Sequence, residues 1–371
     1  QAAELREQHA AHPEIGREYR LLPTPLGVAG LITPWNLPLA LGAKKVATAL
    51  AAGCGAVWKP SELTPLCALA MGPLMAECGV PPGLVQIVPA LGAVAGPALA
   101  DHPDVRVVSV TGSVRTGKTV MRAAADQLQK VSLELGGNAP FIVLPDADCE
   151  QTVDDLLKLK LFVSGQVCVS ANRVFVAKDR QREFINCLES KLAQVRVGIG
   201  TLDDMDAGPL IHQQACDVIR QKVDAACAQG AEIVAENSVV QGDDSCAAGS
   251  WFPPTVLSGV QDDMLVACDE LFGPVISLLA YADVDEAVRR ANATEYGLAG
   301  YVYGSDVDQV RSVAEQLDVG IVGANEWRPL RAEVPFGGVK QSGIGAEGGT
   351  VGVEEFIHWK VLSVPEQGEQ H

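Results

Sequence analysis

One cysteine, Cys168, stands where a side chain could do covalent chemistry. It follows Gly165 by three residues, between a helix-like stretch at 152–163 and a strand-like stretch at Arg173–Val176. A thiol placed just after a glycine at such a boundary can be exposed to a substrate, and its thiolate is a soft nucleophile. A cysteine taken alone is more often a small buried hydrophobic residue. The nucleophile interpretation therefore needs partners elsewhere in the chain.

The segment Gly112–Thr119 fits the phosphate-loop pattern GxxxxGK followed by Ser or Thr, and it lies between a predicted strand and a predicted helix. A nucleotide triphosphatase is therefore one candidate function. Two features weigh against it. A β-branched residue between the two glycines resists the positive φ angles that a phosphate-binding loop needs. The nearby apolar strand that approaches an acid, Phe141–Leu144, is broken by Pro145 before Asp146.

A second glycine motif, Gly343–Gly348, fits the dinucleotide pattern GxGxxG. A dinucleotide fingerprint follows a strand and has an acid well downstream, whereas this motif follows the glycine-rich loop Pro335–Ser342. We therefore expect a turn here.

Length and charge limit the classes of protein. A chain of 371 residues is too long for one small core, so two α/β domains are expected. It carries 28 basic and 46 acidic residues, a formal net charge of −18, which repels nucleic acids and anionic membranes. No apolar run approaches the length of a membrane span, and no signal peptide is expected at the start. We expect neither nucleic acid nor membrane as a partner.

Ten cysteines are scattered along the chain without a CxxC pair or a Cys/His cluster of metal-site spacing. This pattern predicts free thiols, a reducing compartment such as the cytoplasm, and no metal. Most of these cysteines are expected to be buried hydrophobic residues.

Apolar strand-like runs alternate with Ala-rich or amphipathic segments between Leu26 and Gly137, which predicts a parallel sheet covered by helices on both faces. Ligands of such sheets bind at the carboxyl ends of the strands. These ends carry polar or glycine-rich residues, at Pro34–Asn36, Lys59–Glu62, Thr111–Ser113 and Glu134–Gly137. The predicted strands are Gly27–Thr33, Gly55–Trp58, Leu84–Pro89, Val105–Thr111 and Val131–Leu135, and the predicted helices are 38–52, 64–78, 93–100 and 114–128.

A second α/β pattern follows Gly137. The segment Gln1–His12 is polar and helix-prone, and the glycine-rich tail ends in a strand-like run, Val361–Val364. The candidate strands of the second pattern are Pro140–Leu144, Val174–Val176, Val275–Leu279 and Leu298–Tyr303.

Six blocks of the sequence resemble motifs of the aldehyde dehydrogenase superfamily, in the order in which that family carries them. They are the oxyanion segment Pro34–Asn36, the adenosine-ribose segment Lys59–Glu62, the general-base motif Val131–Gly137, the nucleophile motif Gly165–Cys168, and two further blocks, Glu270–Pro274 and Pro335–Lys340. The same resemblance places Gly112–Thr119 in the turn that holds the cofactor pyrophosphate. The triphosphatase interpretation is therefore rejected. The segment from Val322 to Gly343 most resembles the succinate-semialdehyde branch.

The resemblance implies a fold and three regions. It assigns 1–136 to a Rossmann-like NAD(P)-binding domain, 137–341 to an α/β catalytic domain, and 342–371 to a tail. The tail is expected to return to the cofactor domain and to contribute an oligomerisation strand, in a homodimer or homotetramer.

The resemblance also implies the chemistry. Cys168 adds to the carbonyl carbon of an aldehyde, and the Asn36 amide with the Cys168 backbone N–H stabilises the oxyanion. After oxidation a thioester remains, and Glu134 activates the water that hydrolyses it. Lys45 completes the catalytic set. A carboxyl between Leu133 and Leu135 should have a raised pKa, which suits a base near neutrality.

The implied cofactor is NAD, with NADP possible. Lys59 and Glu62 are expected to hold the adenosine ribose, and Glu62 should repel a 2′-phosphate, although Lys59 and Ser61 could still accept one. Glu270 is expected to hold the nicotinamide ribose while Phe272 packs beside the ring. The full cofactor set is Thr33, Pro34, Trp35, Lys59, Ser61, Glu62, Thr111, Gly112, Ser113, Gly117, Leu135, Gly136, Glu270 and Phe272.

The substrate is a small aldehyde that the sequence does not identify. Phe162 replaces the arginine that binds the substrate carboxylate in the succinate-semialdehyde branch, which suggests a more apolar tunnel. A cation among Lys44, Arg328 and Arg331 could instead hold a carboxylate or phenolate, with surface charge as the alternative. The expected tunnel residues are Leu37, Leu41, Lys44, Phe162, Val167, Val169, Leu330, Arg331 and Phe336.

The chain departs from the family at two places. Only about 33 residues precede Pro34, so the N-terminal part of the cofactor domain is expected to be missing. Ala346 stands where relatives commonly carry an arginine near the subunit interface, which affects stability or assembly rather than chemistry. Two other functions stay open: a non-catalytic or impaired relative that only binds ligands, and a CoA-acylating dehydrogenase, in which retention of Glu134 would serve no purpose.

Overall fold

The computed structural model describes residues 7–12, 16–238, 240–241 and 249–365. The chain divides into two compact units. The first unit comprises the described residues of Gln1–Leu135, Leu330–Gly337 and Gly343–His371, and the second comprises those of Gly136–Pro329 and Gly338–Ser342.

Strands and helices alternate through the first unit, as predicted. Strands β7, β6, β3, β4 and β5 lie side by side in that order, and all are parallel. The central strands read as nearly continuous apolar runs because helices cover both faces of a parallel sheet. The elements are β1 Gln8–His12, β2 Arg17–Pro25, β3 Val28–Ile32, α1 Ala40–Ala51, β4 Gly55–Lys59, α2 Pro65–Glu77, β5 Val85–Ile87, α3 Gly92–Ala100, β6 Val105–Thr111, α4 Val114–Asp126 and β7 Lys130–Glu134.

The start of the chain differs from the prediction. Gln8–His12 forms strand β1 rather than helix, and it pairs antiparallel with β2 from Gln8 opposite Leu21 to His12 opposite Arg17. A neighbouring strand with open hydrogen-bonding groups outweighs the weak helix propensity of a short polar segment. Residues 1–6 of the predicted segment lie outside the described residues.

The second unit is built around a seven-stranded sheet in the order β11-β13-β14-β9-β8-β15-β16. All neighbours are parallel except β11, which runs antiparallel to β13. The four predicted strands are its centre, β14-β9-β8-β15, and the strands outside them, β11, β13 and β16, were not predicted. The elements are β8 Ala139–Val143, α5 Cys149–Leu161, β9 Ala171–Ala177, α6 Gln181–Leu192, β10 Val197–Gly198, α7 Gln213–Ala228, β11 Glu232–Glu236, β12 Val240–Gln241, β13 Thr255–Ser258, α8 Leu265–Cys268, β14 Val275–Tyr281, α9 Val284–Asn292, β15 Ala299–Tyr303, α10 Val307–Ala314 and β16 Ile321–Ala324.

The last part of the chain lies in the first unit. Leu330–Gly337 belongs to that unit together with the described residues from Gly343 onward, while Gly338–Ser342 belongs to the second. Strand β17 (Gly343–Ile344) pairs antiparallel with β7, α11 spans Gly349–Glu354, and β18 (Ile357–Pro365) pairs antiparallel with β2. The predicted strand-like run at 361–364 is part of β18. Both units are α/β, which agrees with the predicted fold class.

The prediction that most cysteines are buried is wrong for the described part of the chain. Of the nine cysteines there, Cys54, Cys187 and Cys216 are buried, and none is in a disulfide. Cys246 lies outside the described residues. Among the residues that the structure covers, no group of three His, Cys, Asp or Glu side chains is arranged to hold a metal ion, and no helix is long and apolar enough to cross a membrane.

Candidate active site

The predicted ligand end of the first sheet is a continuous edge. Strand β7 ends at Glu134, which lies opposite Thr111 at the end of β6. Strand β3 ends at Ile32, opposite Lys59 at the end of β4. Because β7, β6, β3 and β4 are neighbours, the four polar segments that follow them lie side by side. Ligands of parallel sheets bind at this edge.

Glu134 is a buried carboxyl at the end of β7. It is 1% exposed, and neither of its carboxyl oxygens has a hydrogen-bond partner among the described residues. Burial raises the pKa of Glu134 well above its ordinary value, and the nearby carboxylate of Glu347 raises it further, while Lys45 and Lys44 lower it. The predicted direction of the pKa shift is confirmed. Such a carboxyl gains and loses a proton nearer to neutrality than an exposed glutamate does.

Lys45 and Glu347 form a buried ion pair beside Glu134. The Lys45 ammonium donates to the Ser109 hydroxyl at 2.7 Å and to a carboxylate oxygen of Glu347. Lys44 lies 3.6 Å from the other Glu347 oxygen. Burial opposes ionisation of Glu347, but the two ammonium groups outweigh it and lower the pKa of Glu347. Glu347 is therefore ionised, while Glu134 keeps its proton over a wider pH range.

Glu347 was not predicted as a site residue. It lies in the turn predicted at Gly343–Gly348, where Gly345 and Gly348 have φ of +84° and +77°, values that favour glycine. Its backbone exchanges two 2.7 Å hydrogen bonds with Phe336. The signal in the sequence was an acid enclosed by glycines, but its partner Lys45 is 302 residues away.

Lys44 is already engaged within the first unit. Besides its pairing with Glu347, its ammonium lies 4.9 Å from the centre of the Phe336 ring. The Arg331 guanidinium donates to the Leu330 carbonyl at 2.8 Å, and Arg331 is exposed. A role of Lys44 in holding a substrate anion would therefore compete with existing contacts.

The segment Thr33–Leu37 carries Asn36 through a bend between β3 and α1. Asn36 itself is half-buried, as are Pro34, Leu37 and Leu41. The segment is held by hydrogen bonds from Trp58 Nε1 to Thr33 Oγ1 at 2.9 Å, from Thr64 Oγ1 to the Trp35 carbonyl at 3.3 Å, and from the Leu41 N–H to the Leu37 carbonyl at 3.1 Å.

Lys59 and Glu62 form an ion pair at the end of β4. The buried Lys59 ammonium donates to Glu62 Oε2 at 2.7 Å, and the Gly92 N–H donates to Glu62 Oε1 at 3.2 Å. The Lys59 hydrogen bond is the largest cause of a lowered pKa of Glu62. The Ser61 hydroxyl is also buried and accepts the Leu63 N–H at 3.3 Å. An ionised carboxylate thus stands at the sheet edge.

The phosphate-loop match is a short strand-to-helix turn. Helix α4 begins at Val114, so only Gly112 and Ser113 lie between it and β6, and the Ser113 hydroxyl caps the helix. A Cβ on Gly117 would lie 2.5 Å from a Leu135 methyl group, so this glycine permits packing inside the unit. There is no loop here to surround a triphosphate.

Cys168 lies in a tight turn of the second unit. Helix α5 ends at Leu161, a 3₁₀ turn spans Phe162–Gly165, and β9 begins at Ala171. Val163 and Ser164 have φ of +51° and +56°, which is strained for residues with a Cβ. Cys168 is half-buried between the buried Val167 and Val169. A Cβ on Gly137 would lie 2.2 Å from the Cys168 carbonyl oxygen, so only glycine fits there.

Glu270 contacts the same glycine segment. Its Oε1 accepts the Gly137 N–H at 3.1 Å, and a Cβ on Gly136 would lie 2.6 Å from Oε2. Burial raises the pKa of Glu270 to about 7, against the Gly137 hydrogen bond, which lowers it. Phe272 has a φ of +51°. The Arg328 guanidinium lies 5.8 Å from the centre of the Phe162 ring.

The predicted site residues thus fall into two groups. The first unit brings together Glu134, Lys45, Thr111 and the missed Glu347, and it places the Asn36 and Lys59 segments at the same edge. The second unit holds Cys168, Glu270 and Phe272, with Cys168 and Glu270 both against Gly137.

Comparison with known proteins extends over nearly the whole chain. Residues 1–362 match the model of the aldehyde dehydrogenase family. A probable succinate-semialdehyde dehydrogenase, NADP(+), of Sinorhizobium fredii is 42% identical over 353 residues, 95% of this chain and 71% of that protein. The succinate-semialdehyde dehydrogenase, NADP(+), 2 of Schizosaccharomyces pombe is 42% identical over 92% of this chain and 68% of its own length.

Solved structures agree. An aldehyde dehydrogenase from Brucella melitensis superposes with a TM-score of 0.94 at 38% identity, covering 99% of this chain and 74% of that one. Betaine aldehyde dehydrogenase from Staphylococcus aureus, solved with NAD+, gives a TM-score of 0.94 at 35% identity, covering 99% and 73%.

Proposed function

The chain belongs to the aldehyde dehydrogenase family, an enzyme family that oxidises aldehydes, and we propose that it does so through a thioester on Cys168. The observation that carries this proposal is Glu134. Its carboxyl is buried beside an ion pair at the ligand edge of the sheet, and the described residues offer it no hydrogen bond, so it contributes little to the stability of the fold. It is well suited to take a proton from water.

In the proposed first step the Cys168 thiolate forms a bond to the carbonyl carbon, whose π electrons move to oxygen. The tight turn limits the directions that Cys168 and its N–H can take, since Gly137 fits directly against the carbonyl of Cys168. The Cys168 N–H and the Asn36 amide are the proposed donors to the oxyanion.

The described residues fit a nicotinamide dinucleotide. Lys59 and Glu62 would hold the adenosine ribose, Ser113 and the first turn of α4 the pyrophosphate, and Glu270 the nicotinamide ribose. When bound, the cofactor supplies the two-electron oxidant that converts the thiol adduct to a thioester. An ionised Glu62 favours NAD, because it repels a 2′-phosphate. NADP stays possible, since named relatives use it.

Hydrolysis of the thioester is assigned to Glu134. Its carboxylate takes a proton from water as the water oxygen attacks the acyl carbon, and the Cys168 sulfur leaves. Burial has the largest effect on the pH at which Glu134 can act as a base, and the pair modifies it, since Glu347 favours the protonated form of Glu134 and Lys45 the ionised form.

The experiment that tests the proposal is turnover of an aldehyde panel with NAD, followed by NADH absorbance. The panel should include succinate semialdehyde and an uncharged aromatic aldehyde, because Phe162 favours the latter. The Cys168→Ala variant, which should bind NAD but not turn over, is the matched control, and Cys67→Ala should be unaffected. No turnover by the unmutated protein would favour the non-catalytic alternative. Acyl release that depends on CoA would favour the acylating one.

We also propose assembly as a homodimer or homotetramer in the cytoplasm. Strand β18 exposes Val361 and Leu362, with 60% and 36% of their surfaces accessible, which suits the proposed oligomerisation strand. Light scattering after size-exclusion chromatography measures the oligomer, and a monomeric mass would contradict this assignment.

A further inference from the structure

A buried lysine lies at the base of the turn that carries Cys168. Lys160, one residue before the end of α5, is 2% exposed, and its ammonium donates to the Ala171 carbonyl at 2.9 Å. Ala171 is the first residue of β9. The hydrogen bond therefore joins the two ends of the ten-residue segment 161–170.

The position is costly for a lysine. Within the described part of the chain, no carboxylate lies within ion-pair distance of its ammonium, and the Ala171 carbonyl is its hydrogen-bond acceptor. Burial lowers the pKa of Lys160 to about 7, and Glu270 opposes that shift. A methionine could fill the same volume without an unpaired buried charge, so packing does not explain the ammonium.

The turn above Lys160 needs to be held in place. Val163 and Ser164 have left-handed backbone angles that persist only where the surroundings impose them. The buried Tyr301 side chain also holds this segment, because its hydroxyl donates to the Val169 carbonyl at 2.9 Å. The carbonyls of residues 169 and 171 are thus both fixed, immediately after Cys168.

We propose that Lys160 is a positioning residue, which holds the nucleophile turn through the Ala171 carbonyl. The inference rests on the role of Cys168 in the proposed function. It assigns no contact of Lys160 with substrate or cofactor.

The test uses the full chain and a measurement that needs no aldehyde, the rate at which iodoacetamide alkylates the Cys168 peptide, followed by mass spectrometry. In Lys160→Met, alkylation should slow roughly tenfold, the scale of one lost hydrogen bond to a charged group. The thermal midpoint should be unchanged or higher, because a buried charge is removed.

Two further variants test the assignment. Tyr301→Phe removes another hydrogen bond from the same segment, so it should also slow alkylation. Lys158→Met, on the same helix but exposed and paired with Asp155, should not change the rate. An unaltered alkylation rate in Lys160→Met would overturn the proposal, and so would slower alkylation that accompanies a lower thermal midpoint. Because no aldehyde is used, these results remain interpretable if aldehyde oxidation itself is not found.

Discussion

Lys45 and Glu347 meet inside the first unit, although 302 residues separate them in the sequence. The Lys45 side chain is fully buried, and it contacts the Ser109 hydroxyl as well as the Glu347 carboxylate. Glu134 lies near this pair. Glu347 raises the pKa of the Glu134 carboxyl and Lys45 lowers it.

Replacing Glu134 by glutamine should separate acylation from hydrolysis. Glutamine cannot take a proton from water, while thiol attack and oxidation do not require it. Mixing the variant with aldehyde and NAD should give a burst of NADH near one per active site, then almost no turnover, with the acyl group on the Cys168 peptide. Steady turnover without a burst would place the base elsewhere.

The same substitution should stabilise the protein at neutral and alkaline pH. The pKa of Glu134 is raised in the folded state, so the wild-type protein loses stability as pH rises from the ordinary glutamate pKa through the raised value. Glutamine has no such proton to lose. The thermal midpoint of Glu134→Gln should exceed that of wild type at pH 8, and the difference should vanish near pH 4. A difference independent of pH would show that Glu134 has an ordinary pKa.

Glu347→Gln should shift the pH profile of kcat and lower the free energy of unfolding. Without the Glu347 charge, Lys45 and Lys44 lower the pKa of Glu134, so the acid limb of kcat should shift to lower pH. Leaving Lys45 unpaired in the interior should cost about 3–5 kcal/mol in the free energy of unfolding. Glu355→Gln is the matched control, because Glu355 has the smallest effect on Glu134 and is paired with Lys130. If the acid limb of kcat does not shift, Glu347 does not influence the pKa of the catalytic base.

Glu62→Ser should narrow the preference for NAD over NADP. The ionised carboxylate at the end of β4 repels a 2′-phosphate, and removing it leaves the Lys59 ammonium without its carboxylate partner. The ratio of kcat/KM values for the two cofactors measures the change. Glu77→Ser, an exposed acid at the end of α2, should leave the ratio as it is. An unchanged ratio in Glu62→Ser would mean that another residue contacts the ribose.

Gly137→Ala should disable the nucleophile turn. The added Cβ would lie 2.2 Å from the Cys168 carbonyl oxygen, so the turn must shift, and a shift of this size costs about 10²-fold in rate. The kcat with any aldehyde substrate measures the loss. Gly72→Ala is the control: apart from the adjacent backbone of its own helix, no atom of the described residues would lie within 4 Å of the added Cβ, and a helical alanine should add about 0.5–1 kcal/mol of stability. Wild-type activity in Gly137→Ala would show that the turn can move freely.

Local sequence patterns determined much of this protein. Alternation of apolar runs and helical segments predicts β3 to β7 within a few residues, because each element follows from neighbouring side chains. Glycines and polar residues at the strand ends predict the ligand edge for the same reason. The motif at Gly165–Cys168 indicates the nucleophile before any distance is known.

The tertiary structure decided the properties that depend on residues far apart in the chain. Burial and opposing charges set the pKa of Glu134, and Glu347 reaches it from the tail. The phosphate-loop pattern is a short turn because α4 begins at Val114, and Gln8–His12 is a strand because β2 lies beside it. Lys160 looks like any helical lysine until the fold encloses its ammonium. Desolvation, long-range charge and strand pairing are properties of the folded neighbourhood, which spacing along the sequence does not contain.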